Sequence, residues 1–221
     1  MLGRAVRWAR EHVVVFAAAA AVAYMFLPIV VVAVLSFNQP SSRFNYTWSE
    51  FTWDNWANPC AVPAVCESVF TSIQIAALAT IVSTVLGTLI ALALVRYRFR
   101  GRSSTNVLIF MPMATPEVVM GASLLALFVN MSLPLGFTTI LVAHIMFCIS
   151  FVVVTVKARI ATLDPAIEQA AMDLYATPAQ TFARVTLPLI MPGIVAAAML
   201  AFALSFDDFI ITNFAAGTGQ T

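Results

Sequence analysis

Asp164–Pro192 reads DPAIEQAAMDLYATPAQTFARVTLPLIMP and lies between two long apolar runs, Phe137–Val156 and Met191–Phe214. Its residues carry helix signals rather than those of a slack tether. Pro165 suits the first turn of a helix, with Asp164 before it as N-cap. Ala166, Ala170 and Ala171 favour helix, and Leu174 follows Ala170 by one turn on the same face. Thr177 followed by Pro178 repeats the start signal, so a second short helix is expected, carrying Phe182 and Val185 on one side. Pro188 and Pro192 then punctuate the entry to the next apolar run. Two short helices between spans make a docking surface. The alternative is an amphipathic connector resting on the membrane surface.

Working outward, the chain has 221 residues, of which 62% are hydrophobic and 10% charged. A soluble domain carries about 25% charged residues, and this much apolar surface cannot be hidden in a water-soluble core. The composition predicts an all-α integral membrane protein with several spans. A net charge of +1 gives no electrostatic reason to bind nucleic acid or an acidic partner. Cys60 and Cys66 lie in one short polar segment and can pair if that segment is outside the cytoplasm, the alternative being two unpaired thiols. Cys148 sits in an apolar run. His12 and His144 are far apart and no CxxC occurs, so no metal site is expected. His144, within a span, reads as a hydrogen-bonded packing residue rather than a ligand or proton carrier.

Five spans are expected. The first runs from about His12 to Phe37, too long for a cleaved signal peptide. Residues 38–67 follow, polar and aromatic, with Phe44, Tyr46, Trp48, Phe51, Trp53 and Trp56. This segment is read as lying at the membrane interface, helical near Trp53–Ala57. The second span covers about Ser68–Val95 and the third about Thr105–Met131, with Pro112 and Pro116 inside it. After a tight turn at Pro134–Gly136 comes the fourth, Phe137–Val156, then the opening stretch, then the fifth, Met191–Phe214. If the spans alternate, Arg4, Arg7, Arg10, Arg96, Arg98, Arg100, Arg102, Lys157, Arg159 and Arg184 share one side. These are ten of the eleven Lys and Arg residues; Arg43 falls on the other side. The positive-inside rule then puts the N-terminus and the 157–190 loop in the cytoplasm, and residues 38–67 outside.

Acids within spans are costly and point to function. Glu117 stands about twelve residues into the third span, or roughly 18 Å, and Asp207 and Asp208 about fifteen residues beyond Pro192, or roughly 22 Å. Three carboxylates at one level, with no Lys or Arg in any span, call for a cation or a water-filled cavity. The alternative is that Asp207 or Asp208 caps a broken helix or is protonated. Pro112 and Pro116 can free backbone carbonyls near Glu117, or simply kink the helix. On a continuous helix Asp207 and Asp208 point about 100° apart, with Ser205 and Thr212 in reach of Asp208. Trp48, Trp53 and Trp56 form either an interfacial belt or a mouth that attracts organic cations. Glu50, Asp54 and Glu67 keep that outer segment acidic.

EQAAMDLYATPAQTFARVTLPL resembles the cytoplasmic EAA loop of permease subunits in binding-protein-dependent ABC importers. Ala170, Ala171 and the Leu187-Pro188-Leu189 ending match. Gln169 stands where the family has Glu, with Glu168 one place earlier, and Tyr175 stands where the family has the Gly of a tight inter-helix turn. SFNQPSSRF (Ser36–Phe44), YRFRG (Tyr97–Gly101), PEVVM (Pro116–Met120), FVVVTVKAR (Phe151–Arg159) and SFDDF (Ser205–Phe209) are similar to stretches of the spermidine/putrescine importer permeases of the PotC type, and the resemblance covers nearly the whole chain.

The resemblance implies a single transmembrane permease domain over residues 1–221, in the bacterial inner membrane. Its expected partners are a homologous permease subunit, two cytoplasmic ATPase subunits and an extracytoplasmic solute-binding protein. It further implies a polyamine path lined or supported by Trp56, Glu117, Ser205, Asp207 and Asp208. The ATPase contact would be made through Glu168, Gln169, Ala170, Ala171, Asp173, Tyr175, Leu187 and Pro188. No cofactor is expected on this chain: it has no GxxxxGK[ST] loop, so ATP and Mg would be handled by the partner ATPase. Members of the family have six spans as a rule, and this chain is expected to lack the sixth. Rival readings are another small solute in the same importer class and a proton-coupled carrier using Glu117 without ATPase partners. An intramembrane enzyme would need a nucleophile–base pair or metal ligands at depth, and none is visible.

Overall fold

The computed structural model describes the backbone of residues 2–40 and 47–217, and side chains from residue 12 onward within them. Arg43, Phe44 and Tyr46, which figured in the charge and aromatic patterns, lie outside the described residues, as do the side chains of Arg4, Arg7 and Arg10. The described residues are overwhelmingly helical, as the apolar composition requires, and divide into two units, Met1–Cys66 and Glu67–Thr221.

The first unit begins with α1 (Leu2–Leu35), whose apolar side chains from Val13 to Val34 are exposed within the chain. A two-residue ladder follows, β1 (Asn38–Gln39) antiparallel to β2 (Glu50–Phe51), then α2 (Asp54–Ala57). Buried Asn38 organises this segment: its Nδ2 donates to the Thr47 carbonyl at 2.8 Å and its Oδ1 accepts from the Ser49 amide at 2.7 Å. Phe37 stacks on Phe51 and Trp56 at 5.9 and 5.5 Å and meets Trp53 edge-on at 5.0 Å. A disulfide joins Cys60 to Cys66, resolving the sequence alternatives in favour of pairing.

α3 (Pro63–Arg96) starts in this unit and runs through the second. There it is followed by α4 (Arg102–Ala114), α5 (Glu117–Asn130), α6 (Phe137–Ala161), α7 (Pro165–Asp173), α8 (Pro178–Thr181), α9 (Leu187–Asp207) and α10 (Ile210–Ala215). Four helices are long and apolar enough to cross a membrane, or five if the bent α4–α5 pair counts as one span.

Two of the five expected spans are not continuous helices. α4 and α5 meet at 110°. Thr115 precedes Pro116, and the proline ring drives it into extended backbone (φ −84°, ψ 133°). Pro112 is absorbed inside α4. The depth of Glu117 reckoned along a straight helix therefore does not hold. The last span also breaks, between Asp207 and Ile210. At the loop, α7 begins as expected, the Ala166 amide bonding the Asp164 carboxylate at 2.9 Å. Thr177 likewise caps α8, exchanging hydrogen bonds with Gln180. The second helix is not separate, however. It passes through a π-helical turn (Phe182–Thr186) into α9, so Phe182 and Val185 lie in that turn and Pro188 and Pro192 lie within α9.

α6 is the centre of the second unit. It buries Ala143, Phe147, Cys148, Val152, Val153 and Val156. Its main neighbour is α9, which buries Gly193, Ala197, Ala201 and Ser205, one small residue per turn along a single face. Helices in lipid approach closely through such small residues. A Cβ placed on Gly193 would stand 2.5 Å from Arg159 Cγ. That closeness lets the Arg159 guanidinium donate to the Leu189 carbonyl from Nε at 3.1 Å and Nη2 at 2.8 Å. Elsewhere Gly87 of α3 meets Val152 of α6, and Gly121 of α5 meets Phe214 of α10, each with the same economy of space.

Gly193→Ala is therefore expected to cost about 1–3 kcal/mol by overpacking, read as a lower apparent unfolding temperature of the detergent-solubilised chain. An unchanged temperature would contradict the seam described here.

Candidate functional site

α9 stops because Asp208 takes extended backbone (φ −75°, ψ 108°). Its Oδ1 accepts from the Ile211 amide at 3.1 Å, so the side chain caps the short α10. The helix-capping alternative is thus what the structure shows for Asp208. Its side chain is only 4% exposed. Asp207, the last residue of α9, is exposed. Glu117 opens α5 and is exposed as well. Packing of α5 on α10 brings the Glu117 charge, with that of Asp207, close enough to act on Asp208. Both charges thus bear on Asp208, and no Lys or Arg occurs in α5, α9 or α10.

His144 of α6 stands beside Asp208, a hydrogen-bonded packing residue as its sequence position suggests. Its ring is 2% exposed. Nδ1 lies 2.7 Å from Ser205 Oγ, and Nε2 lies 2.9 Å from Thr212 Oγ1 and 3.5 Å from Asp208 Oδ2. The Thr212 hydroxyl donates to the Asp208 backbone carbonyl at 2.9 Å. Its oxygen then accepts from His144 Nε2–H, and in a neutral ring Nδ1 accepts from the Ser205 hydroxyl. Donor counting thus places a proton on Nε2. Ser205 was expected to bond Asp208 and bonds His144 instead; Thr212 reaches the Asp208 backbone rather than its carboxylate. The signal for this pairing was position along the helix: a residue near the start of α6 faces one near the end of its antiparallel neighbour α9.

Trp56 belongs to the first unit. Its Nε1 donates to Ser36 Oγ at 3.1 Å and its ring stacks on Phe37.

A second cluster holds the loop. Arg96, the last residue of α3, pairs with Glu168 of α7 and lies over the Phe182 ring at 5.8 Å. Thr186 Oγ1 donates to the same Glu168 oxygen at 2.5 Å. Glu168 is therefore engaged inside the chain, whereas Gln169, Ala170, Asp173, Tyr175 and Pro188 are exposed and Ala171 and Leu187 half-buried. α7 ends in a reversed turn in which the Ala176 amide bonds the Ala171 carbonyl at 3.2 Å and the Tyr175 amide bonds the Met172 carbonyl at 3.0 Å. This pairing requires left-handed backbone at Tyr175, whose φ is 63°. The side chain there is 96% exposed, next to Leu174 at 81%. Tyr175 thus fills the turn the resemblance gives to Gly, with the same backbone.

Residues 83–221 match the family described as binding-protein-dependent transport system inner membrane component. The chain is 35% identical over 195 residues to the spermidine/putrescine transport system permease protein PotC of Haemophilus influenzae, covering 88% of this chain and 75% of that protein. It is 38% identical to the Escherichia coli putrescine transport system permease protein PotI, over 90% of this chain and 72% of that one. A chain from the crystal structure of a bacterial ABC transporter that imports alginate aligns with TM-score 0.69 and 14% identity, covering 98% of this chain and 82% of that one. At that identity the likeness is one of fold.

Because a left-handed conformation costs an L-residue about 1–2 kcal/mol, Tyr175→Gly is expected to leave the apparent unfolding temperature unchanged or raise it, and Tyr175→Val to lower it. A clear loss of stability with glycine would mean that the ring makes contacts within the chain.

Proposed function

Since the chain belongs to the binding-protein-dependent transport system inner membrane components, and is thus a multi-span transport subunit rather than an enzyme, we propose that it is the permease of an ATP-driven polyamine importer, with putrescine and spermidine as solutes. The observation that carries this reading is the convergence of Glu117, Asp207 and Asp208 in a region of the fold without a Lys or Arg. One buried and two accessible carboxylates of that kind favour a multivalent organic cation and need not be neutralised permanently. Relatives named for spermidine and putrescine support the choice of solute. Ser205 supports the path through its hydrogen bond to His144 rather than as a charge partner.

In this reading residues 1–221 act as one permease domain, and the 38–67 segment meets a solute-binding protein outside. The N-terminus and the 157–190 loop lie in the cytoplasm, following the asymmetry of Lys and Arg. The exposed end of α7, with Gln169, Ala170, Asp173, Leu174 and Tyr175, docks on one of two ATPase subunits, which bind ATP and Mg. Glu168 steadies that surface from within through Arg96. A homologous permease subunit completes the path. ATPase closure moves α7 and the foot of α9, and the path alternates between outward and inward access. The acids hold ammonium groups in passing and release them.

The test is uptake of radiolabelled putrescine and spermidine by cells that express the chain with its neighbouring subunits and have no other polyamine importer. Glu117→Gln and Asp207→Asn are each expected to weaken uptake about tenfold or more, the worth of one charge-assisted hydrogen bond, with wild-type amounts of permease in the membrane. Undiminished uptake by both variants, or no competition between labelled spermidine and unlabelled putrescine, would count against the proposal.

A further inference from the structure

The two broken spans break for different reasons. Between α4 and α5 stands Pro116. Between α9 and α10 there is neither Gly nor Pro: Ile194–Ala216 contains none of either. SFDDFIITNF has no residue that forbids a continuous helix, and Ser205, Phe206, Ile210 and Ile211 are all compatible with one. The Asp208 cap is the local contribution to the break, and a second contribution comes from another helix.

What holds it is on α6. His144 is the one buried side chain among the described residues that hydrogen-bonds on both sides of the break: Ser205 before it and Thr212 after it. The same ring nitrogen that meets Thr212 faces Asp208 Oδ2 at 3.5 Å, an oxygen that is buried without a hydrogen-bond partner. The other carboxylate oxygen caps α10. A flat ring bonded at two opposite edges fixes the distance between Ser205 and Thr212. Without it the Ser205 hydroxyl turns back to a carbonyl of its own helix, as serines in helices do, and α9 is free to extend through Asp208. Asp207 and Asp208 would then turn to new directions together.

We infer that His144 is the positioning residue of the carboxylate cluster: it maintains the α9–α10 break, keeps Asp208 turned inward as a cap, and leaves Asp207 as the member of the pair that meets the solute. This rests on the proposed transport of polyamines for its functional consequence, and on the hydrogen bonds alone for its structural one. The ring acts as a neutral acceptor–donor pair and carries no proton through the membrane.

The experiment compares His144→Gln and His144→Leu in the assembled importer. Gln retains one acceptor and one donor at the end of a side chain of similar reach; Leu retains bulk and loses both. Putrescine uptake is expected to fall about tenfold or more in the Leu variant and to recover in the Gln variant. The pH profile of the Gln variant should match wild type across about pH 6–8, where a titrating histidine would show itself. His144→Leu combined with Asp208→Asn is expected to be no worse than the more severe single change, because the histidine acts through the aspartate.

Wild-type rates in the Leu variant, a Gln variant as inactive as Leu, or full additivity in the double variant would overturn the inference. A second readout does not depend on transport or on the Leu variant folding. The sequence holds two histidines, so ¹⁵N spectra of the wild-type and His12→Gln chains assign the His144 ring. A ring protonated on Nε2 and bare on Nδ1 is expected; the opposite tautomer or an imidazolium contradicts the network. If wild type takes up neither putrescine nor spermidine, the proposed solute falls while the ring spectrum still decides the role of His144.

Discussion

The close seam between α6 and α9 is the constraint on which the second unit depends. Lipid tails are as apolar as leucine, so the hydrophobic effect does not press helices together within a membrane. Contact has to come from shape and from polar groups that cannot be left bare. Gly193, Ala197, Ala201 and Ser205 supply the shape, one per turn. Arg159 at one end and His144 at the other supply the polar contacts, to the Leu189 carbonyl and to Ser205. Cys148 adds a weak contact to the Ala201 carbonyl between them. α9 is thereby held as a rod of 21 residues, about 30 Å long. Its foot joins the loop and its tip carries Asp207. Under the proposed function this rod links the ATPase surface to the solute level, and its two polar clamps decide how it pivots.

Each end of the rod is built to a different rule. The foot enters through a π-helical turn rather than a loop, and Thr186 in that turn shares Glu168 with Arg96. Helix α7 and the start of α9 therefore move as neighbours, not as independent tethers. The tip ends without a helix breaker, on an aspartate cap and a histidine from the adjacent helix. α5 reaches the same place through a proline. One acid thus sits on a break fixed by covalent geometry, and two on a break maintained by hydrogen bonds. The second kind can change with the packing around it, which under the proposed function suits a level where access alternates.

Much of this was legible beforehand, and the part that was not has a common cause. Local signals survived: Asp164 before Pro165 and Thr177 before Pro178 cap helices, the short helix near Trp53–Ala57 forms at Asp54–Ala57, and of the two alternatives for Cys60 and Cys66 the pair forms. Apolar run length located the start of α6 at Phe137 and the end of α3 to within one residue, but missed the end of α9 by seven because of the break after Asp207. Three features escaped. A proline in an apolar run reads equally as a kink or a corner, and the 110° bend at Pro116 depends on what α5 packs against. Thr177-Pro178 starts a helix but says nothing of where it ends, so the merger of α8 into α9 was invisible. His144 became a site residue only when α6 and α9 were placed side by side, since its partners lie 61 and 68 residues away. The depth reckoned for Glu117 along a straight helix fails at the same corner.

The central claim is that Asp207 faces a path that favours organic cations. It is tested most directly by placing a cysteine at that position in a Cys148→Ser chain within the assembled importer, and comparing its rates of modification by cationic and anionic methanethiosulfonates. The remaining acids at this level should raise the local concentration of the cationic reagent about tenfold or more, and spermidine should slow its reaction. Equal rates for the two reagents, with no protection by spermidine, would contradict the account.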